Sequence, residues 1–225
     1  MHRYLQILAV CGACAWAAGS AHAAESRFYV APLIGPSWSA LTLDGSDAAL
    51  DRNLFTAGGA AGVAIDRPGG RARLEFEARY RDGYAVEDAA PGISARLETS
   101  DNWSTLVNLW RDVLVTDQTG IYAGGGIGAG GYGIAMNIDA TILRLDGASR
   151  PADFAWQLGG GVFHDLSDRV TLDLGYRFYS VADGMLPLTA TFGGSPVGTT
   201  SVVSSFAASE MLLSIRVMEP FRGWR

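Results

Sequence analysis

The chain has 225 residues, 48% of them hydrophobic and 18% charged, with a formal net charge of −6. That balance excludes disorder, which needs low hydrophobicity and high net charge, and an acidic chain lacks the phosphate-neutralising surface that nucleic-acid binding requires. All 17 basic residues are arginine, so no Schiff base, Ser-Lys dyad or P-loop lysine is available.

The chain opens as an export signal. Arg3 carries a positive charge, residues 5–18 are apolar, and Ala21-His22-Ala23 places small residues where a signal peptidase reads. The apolar part is short for a membrane span. A cleaved signal over residues 1–23 and a single domain over residues 24–225 are expected. Cys11 and Cys14 leave with the signal, as do His2 and His22. The mature domain then has no disulfide, no thiolate site and His164 alone, which rules out a multi-histidine metal centre. No cofactor is expected.

Period-2 alternation, which sends successive side chains to opposite faces of a strand, recurs along the rest of the chain. Residues 27–40 alternate loosely. Residues 55–66 alternate in small side chains, with Phe55, Ala57, Gly59, Ala61, Val63 and Ile65 on one face. Residues 71–80 set Ala72, Leu74, Phe76, Ala78 and Tyr80 against Arg71, Arg73, Glu75, Glu77 and Arg79. Noisier strands span 95–115, 120–136 and 153–164. Residues 169–181 set Val170, Leu172, Leu174, Tyr176 and Phe178 against Thr171, Asp173, Gly175, Arg177 and Tyr179, and residues 206–217 close the series. The result is eight strands. Their connections alternate: 67–70, 116–119 and 165–168 are short turns, whereas 41–54, 82–94, 137–152 and 182–205 read as long loops. In an up-and-down barrel this puts three turns and both termini on one rim and four loops on the other. That is the layout of bacterial outer-membrane barrels.

Alternation alone fits a soluble barrel with its apolar face inward equally well. Three features favour the membrane. Strand charges of both signs crowd onto one face, as enclosed groups that must pair would do. Aromatic residues gather near strand ends, as interfacial girdles require: Phe28, Tyr29, Trp38, Phe55, Tyr80, Tyr84, Trp103, Trp110, Tyr122, Tyr132, Phe154, Trp156, Phe178 and Tyr179. Neither disulfides nor a lysine-rich surface supports a soluble exterior.

The run AWQLGGGVFHDLSDRVTLDLGYRF at 155–178 resembles the sixth strand, turn and seventh strand of small eight-stranded outer-membrane β-barrel proteins, the opacity-protein and OmpA-like barrel group. NLWRD at 108–112 followed by IYAGGGIG at 121–128 is similar to the fourth and fifth strands of the same group. The resemblance implies an all-β, eight-stranded antiparallel up-and-down transmembrane barrel in the outer membrane. It also implies contact with outer-membrane lipid, lipopolysaccharide and the barrel assembly machinery. The group includes adhesins, surface antigens and narrow channels. Its barrels usually end at an aromatic residue that the assembly machinery reads. Here the last strand ends at Val217 and Met218–Arg225 follow, with Phe221 and Trp224 as substitutes.

Other motifs carry less. Gly126-x-Gly128-x-x-Gly131 matches a dinucleotide fingerprint, but no helical pattern follows it. The eight glycines within 120–133 read as a strand that makes room for bulky lumen side chains. His164, Asp165, Ser167 and Asp168 invite a lipid-hydrolase reading and equally compose an ordinary tight turn on the periplasmic rim. Arg73, Glu75, Glu77, Arg79, Asp173, Arg177 and Arg216 fit a lumen plug of salt bridges or a narrow conducting path. Eight strands leave an interior just wide enough for side chains to fill. Met185, Leu186, Leu188 and Phe192 in the last loop are candidate contacts for a surface ligand, unless they fold back over the mouth. The expected protein is a non-enzymatic envelope component with surface loops for adhesion or interaction. A narrow channel, a lipid-modifying barrel enzyme and a soluble periplasmic lipid-binding barrel are the alternatives.

Overall fold

Residues 25–43 and 50–220 are described in a computed structural model. They form ten strands and no helix: β1 (Ser26–Leu43), β2 (Leu50–Arg67), β3 (Gly70–Arg81), β4 (Tyr84–Ala90), β5 (Ile93–Leu114), β6 (Thr119–Ala140), β7 (Leu143–Ser149), β8 (Ala152–Asp165), β9 (Val170–Phe192) and β10 (Ser195–Met218). All pairings are antiparallel. Eight strands close a ring in the order β1-β2-β3-β5-β6-β8-β9-β10, with β10 returning to β1. Closure leaves the ring no unpaired backbone edge, the condition for crossing a bilayer with strands.

The other two strands extend the wall beyond the ring. β4 resumes the path of β3 after Asp82-Gly83 and keeps the same partner, β5. β7 leads into β8 across Arg150-Pro151 and lies between β6 and β9. The expected long loops 82–94, 137–152 and 182–205 are therefore mostly strand, a correction to the sequence reading. Their tips turn within two residues, at Pro91-Gly92, Thr141-Ile142 and Gly193-Gly194. Gly193 (φ 56°) and Gly194 (φ 85°) occupy the left-handed region that a side chain disfavours. Neighbouring tips are hydrogen-bonded, Thr141 N to the Gly92 carbonyl at 3.3 Å and Gly193 N to the Ile142 carbonyl at 2.9 Å. Residues 44–49 of the expected loop 41–54, the signal segment, Phe221 and Trp224 lie outside the described residues.

Two irregularities separate ring from extension. Between Ser100 and Trp103, β5 carries one residue more than β6, and Asp101 there has φ 50°. Between Val181 and Gly184, β9 carries one residue more than β10. Each bulge switches which parity faces inward. On β9, Thr171 to Val181 are buried at odd positions, and Gly184, Leu186 and Leu188 at even ones.

Within the ring the outward face is apolar. Phe76, Val107, Ile127, Leu158, Leu174 and Leu213 are exposed there, the belt a barrel presents to hydrocarbon. Phe28, Trp38, Phe55, Tyr80, Trp103, Phe154 and Phe178 are also exposed. Tyr29, Trp110, Tyr122, Tyr132 and Tyr179 are not part of that surface. They are buried because their parity points into the lumen, which corrects their assignment to the girdles.

Candidate functional site

The lumen is filled in two zones. β3 sends Arg71, Arg73, Glu75, Glu77, Arg79 and Arg81 inward, and each is buried. Near the short-turn rim, Arg73 Nε donates to Asp112 at 2.9 Å and Arg216 Nη1 to the other oxygen of Asp112 at 2.9 Å. Arg216 also binds Asp173 through Nε at 2.6 Å and Nη2 at 2.9 Å. Arg71 pairs with Asp112 at 3.5 Å and reaches Asp165 at the rim at 3.1 Å. Glu75 accepts from Tyr29 Oη at 2.7 Å, Trp110 Nε1 at 2.9 Å and Asn108 Nδ2 at 3.2 Å. Higher up, Glu210 accepts from Arg79 and from Arg81 Nε at 2.6 Å. Arg79 also pairs with Glu77 at 2.7 Å and donates to Gln157. Arginine supplies five donors in a planar fork, so one side chain can serve two acceptors.

Aromatic rings occupy the faces of these guanidiniums. Arg81 lies 4.0 Å from the Tyr179 ring centroid and Arg177 4.0 Å from Trp110, within cation–π reach. Glycines opposite make the space. A Cβ at Gly175 would overlap Tyr122 Oη, and one at Gly130 would overlap Tyr179 Oη.

Toward the hairpin end the filling becomes apolar. Leu41, Leu106, Tyr132, Ile134, Tyr179, Val181, Leu186, Leu188 and Phe206 form one buried cluster, with Leu43, Leu97, Met136 and Val202 packed against it. Tyr132 stacks on Phe206 at 5.3 Å and donates to the Ser204 carbonyl at 2.9 Å.

The extension beyond the ring is a six-stranded wall, β4-β5-β6-β7-β9-β10. Its register sorts side chains by face. One face aligns Val86, Leu97 and Met136; then Ile138, Leu145 and Ala190; then Ile93, Ala140, Leu143 and Phe192. This face continues the buried cluster. At its outermost row Ile93 (46%), Leu143 (42%) and Phe192 (52%) stand exposed. The opposite face carries charge: Arg96 pairs with Glu87 and with Glu98 at 3.0 Å, and Arg144 with Asp139 at 3.5 Å and Asp146 at 3.6 Å. The hydrogen bond from Arg96 to Glu98, reinforced by the charges of Glu87 and Glu98, holds the guanidinium above its ordinary pKa.

The residues singled out from sequence divide accordingly. Arg73, Glu75, Glu77, Arg79, Asp173, Arg177 and Arg216 all lie in the charged lumen. Leu186 and Leu188 are buried in the apolar cluster, Phe192 is on the outermost apolar row, and Met185 is exposed on the other face. Sequence reading missed Arg81, Asp112, Glu210, Asn108 and Gln157, which complete the lumen network. Arg81 merely extends the odd-numbered series of β3, and Glu210 shares parity with Arg216, so parity could have found both. His164 Nδ1 meets Thr119 Oγ1 at 2.8 Å, and Ser167 Oγ accepts from the Arg169 and Val170 amides. These are the contacts of a capped turn, with no bond between His164 and Ser167. Among the described residues no cluster of His, Cys, Asp and Glu suits a metal.

Comparison with solved structures finds neisserial surface protein A at 15% identity and TM-score 0.44, over 86% of this chain and 98% of that one. Ail, the attachment invasion locus protein of Yersinia pestis, is 9% identical with TM-score 0.40, over 84% and 98%. A major outer membrane protein of Thermus thermophilus is 10% identical with TM-score 0.42, over 86% and 100%. No curated protein sequence matches. The family model described as an outer membrane protein beta-barrel domain matches residues 7–199. With the closed ring, the lipid-facing belt and the paired lumen charges in place, the chain belongs to the family of outer-membrane β-barrel domain proteins and resides in the outer membrane.

Proposed function

We propose that the protein is a non-enzymatic surface component, a closed barrel that anchors a rigid external wall for contact with a partner of apolar surface. The observation that carries this reading is the wall. Three hairpins stand beyond the ring, bonded tip to tip, with one face charged and the other apolar out to Ile93, Leu143 and Phe192. An exposed apolar row, with exposed Ile142 and Val197 near the same tips, marks an interaction surface. The lumen supports anchoring over transport. Arg81, Arg216, Tyr29, Trp110, Tyr132, Tyr179, Phe163 and Phe206 are all fully buried across it, as an eight-stranded interior filled by side chains should be.

The test uses whole cells displaying the chain. The triple variant Ile93→Ser, Leu143→Ser, Phe192→Ser should fold, as read by heat-modifiable gel mobility, and should lose adherence or cell–cell aggregation seen with the parent. Unchanged adherence by the folded variant refutes the wall reading. Reconstituted in planar bilayers, the parent should give no stable conductance. Regular single-channel steps would overturn the closed lumen.

A further inference from the structure

The ring closes where β1 meets β10, and the backbone of this seam is incomplete. From Ser26 to Leu41 every residue of β1 has a partner on β2. On the other side, the register with β10 skips Ala31, Pro32, Gly35 and Pro36. Backbone direction explains the skips. The Glu25 carbonyl accepts from Asp66 N of β2 at 3.1 Å, and the Phe28 carbonyl from Glu219 N, just past β10, at 2.7 Å. Successive residues of a strand address alternate neighbours, so the even-numbered residues of β1 address β10. Pro32 and Pro36 stand at two of those positions and have no N–H to donate. Leu33 pairs with Ser214 and Ser37 with Glu210, which sets Pro32 opposite Ile215 and Pro36 opposite Met211. The carbonyls of Ile215 and Met211 therefore lose their ladder donors. The Met211 carbonyl instead occupies the space that a Cβ at Gly35 would take. Proline normally keeps to the free side of an edge strand; here two of them face a closing partner.

Side chains do not make up the loss. The lumen ion pairs tie β3 to β5 and to β10, and β10 to β5 and β9. Among the described residues no ion pair or side-chain hydrogen bond runs from β1 to β10. β1 uses its inward hydroxyls elsewhere, Tyr29 on Glu75 of β3 and Ser37 on Ser39 of β1 itself. What meets across the seam is apolar: Ala31 and Leu33 of β1 pack in one cluster with Leu212 and Met218 of β10. We propose that the β1–β10 seam is an opening line built into the barrel, which parts locally while the other seams of the ring stay paired. The ladders of β1 on β2 and of β2 on β3 are unbroken over Ser26–Leu41 and Thr56–Arg67, so β1 and β2 move as one hairpin hinged on β3. Parting there turns Ala31, Leu33 and Leu212 toward hydrocarbon, and the arginine–carboxylate pairs stay bonded to one another. Backbone groups without partners are costly in a bilayer, and this seam already bears two of them when closed, so less is lost on opening it than on opening a complete ladder.

The test is amide hydrogen exchange of the full chain in lipid nanodiscs, resolved by residue with NMR. The probes are the Leu213 and Ile215 amides, which face β1. The references are the amides around Phe76 of β3 and Val107 of β5, residues paired with each other. The probes should exchange roughly ten- to a hundredfold faster than the references, since each missing bond lowers the cost of local opening. Pro32→Val with Pro36→Val restores both donors and should slow the probes to the reference rate. Leu33→Cys with Ser214→Cys, oxidised, tethers a paired position of the seam and should do the same; the chain has no native cysteine beyond Cys14 to compete. Probe amides as slow as the references in the parent protein overturn the proposal, whether or not the variants fold. Fast exchange that persists in the folded valine variant or in the tethered variant overturns it as well.

Discussion

Replacing Glu210 with Gln tests the energetics of the lumen. The carboxylate is fully buried and is shared by Arg79 and Arg81. Glutamine preserves volume and removes the charge. Arg79 would keep Glu77 at 2.7 Å and its bond to Gln157. Arg81 would keep only Ser104 Oγ at 3.2 Å and the Tyr179 ring at 4.0 Å. One uncompensated buried cation therefore sets the magnitude, and removing one partner of a buried pair costs about 3–5 kcal/mol. At about 1.4 kcal/mol per decade, the unfolding constant should rise roughly 100-fold to several thousand-fold.

The assay is urea unfolding of the chain in lipid vesicles, followed by tryptophan fluorescence and by heat-modifiable mobility. Arg144→Ala serves as control. Its partners Asp139 and Asp146 are about half exposed, and exposed pairs contribute ~0–1 kcal/mol. A third variant, Glu210→Leu with Arg81→Met, removes the charge and its orphan together, and stability should return most of the way, since buried pairs are replaceable by apolar side chains of similar volume. If Glu210→Gln behaves like the surface control, the lumen is wet enough to screen its charges and the dry-network reasoning is wrong.

Phe76 lies midway along β3 on the outward face, 55% exposed. Phe76→Arg should destabilise the barrel in vesicles by about 2–4 kcal/mol, as for a cation near the bilayer midplane; no effect would point to a water-facing exterior. Gly175→Leu should abolish folding, read as loss of heat-modifiable mobility, because its Cβ alone would overlap Tyr122 Oη; combining it with Tyr122→Ala should restore part of the folded yield. Leu186→Ala should cost about 2–5 kcal/mol in urea unfolding, as in a packed core; a change within ~0.5 kcal/mol would return the residue to a free loop.

Legibility in the sequence followed phase. The strand at 71–80 was readable because its alternation runs without a break, and the structure extends it only to Gly70 and Arg81. The strand expected over 95–115 looked noisy because it holds two phases, Thr99 inward on one side of Asp101 and Asn102 inward on the other. The bulge beside Asp183 did the same to β9. It made residues 182–205 look like a loop although they pair almost to their tip. Position along a strand was legible for the aromatic residues, but facing was not read from it. Tyr179 already shared parity with Arg177 and Asp173, and that outweighed its place near a strand end. The pairing of particular charges was not legible at all. Asp112 meets Arg73 39 residues away on the neighbouring strand, and Glu210 meets Arg79 and Arg81 129–131 residues away, contacts that barrel closure alone creates.

The absence of lysine, first read as the removal of certain chemistries, is better explained by the lumen. A closed eight-stranded interior must satisfy every buried charge without bulk water. Arg216 bonds two carboxylates and Arg81 bonds Glu210 and Ser104 while lying over an aromatic ring. A lysine ammonium has three donors, no plane to stack and a larger hydration cost. It could not occupy either position on the same terms. The glycine-rich strands are the complement of this choice. Gly130 and Gly175 stand where Tyr179 and Tyr122 need room, and those two rings in turn flank Arg81, Arg73 and Arg177. The arginine content and the glycine excess are two sides of one requirement, a charged interior packed dry inside a narrow ring.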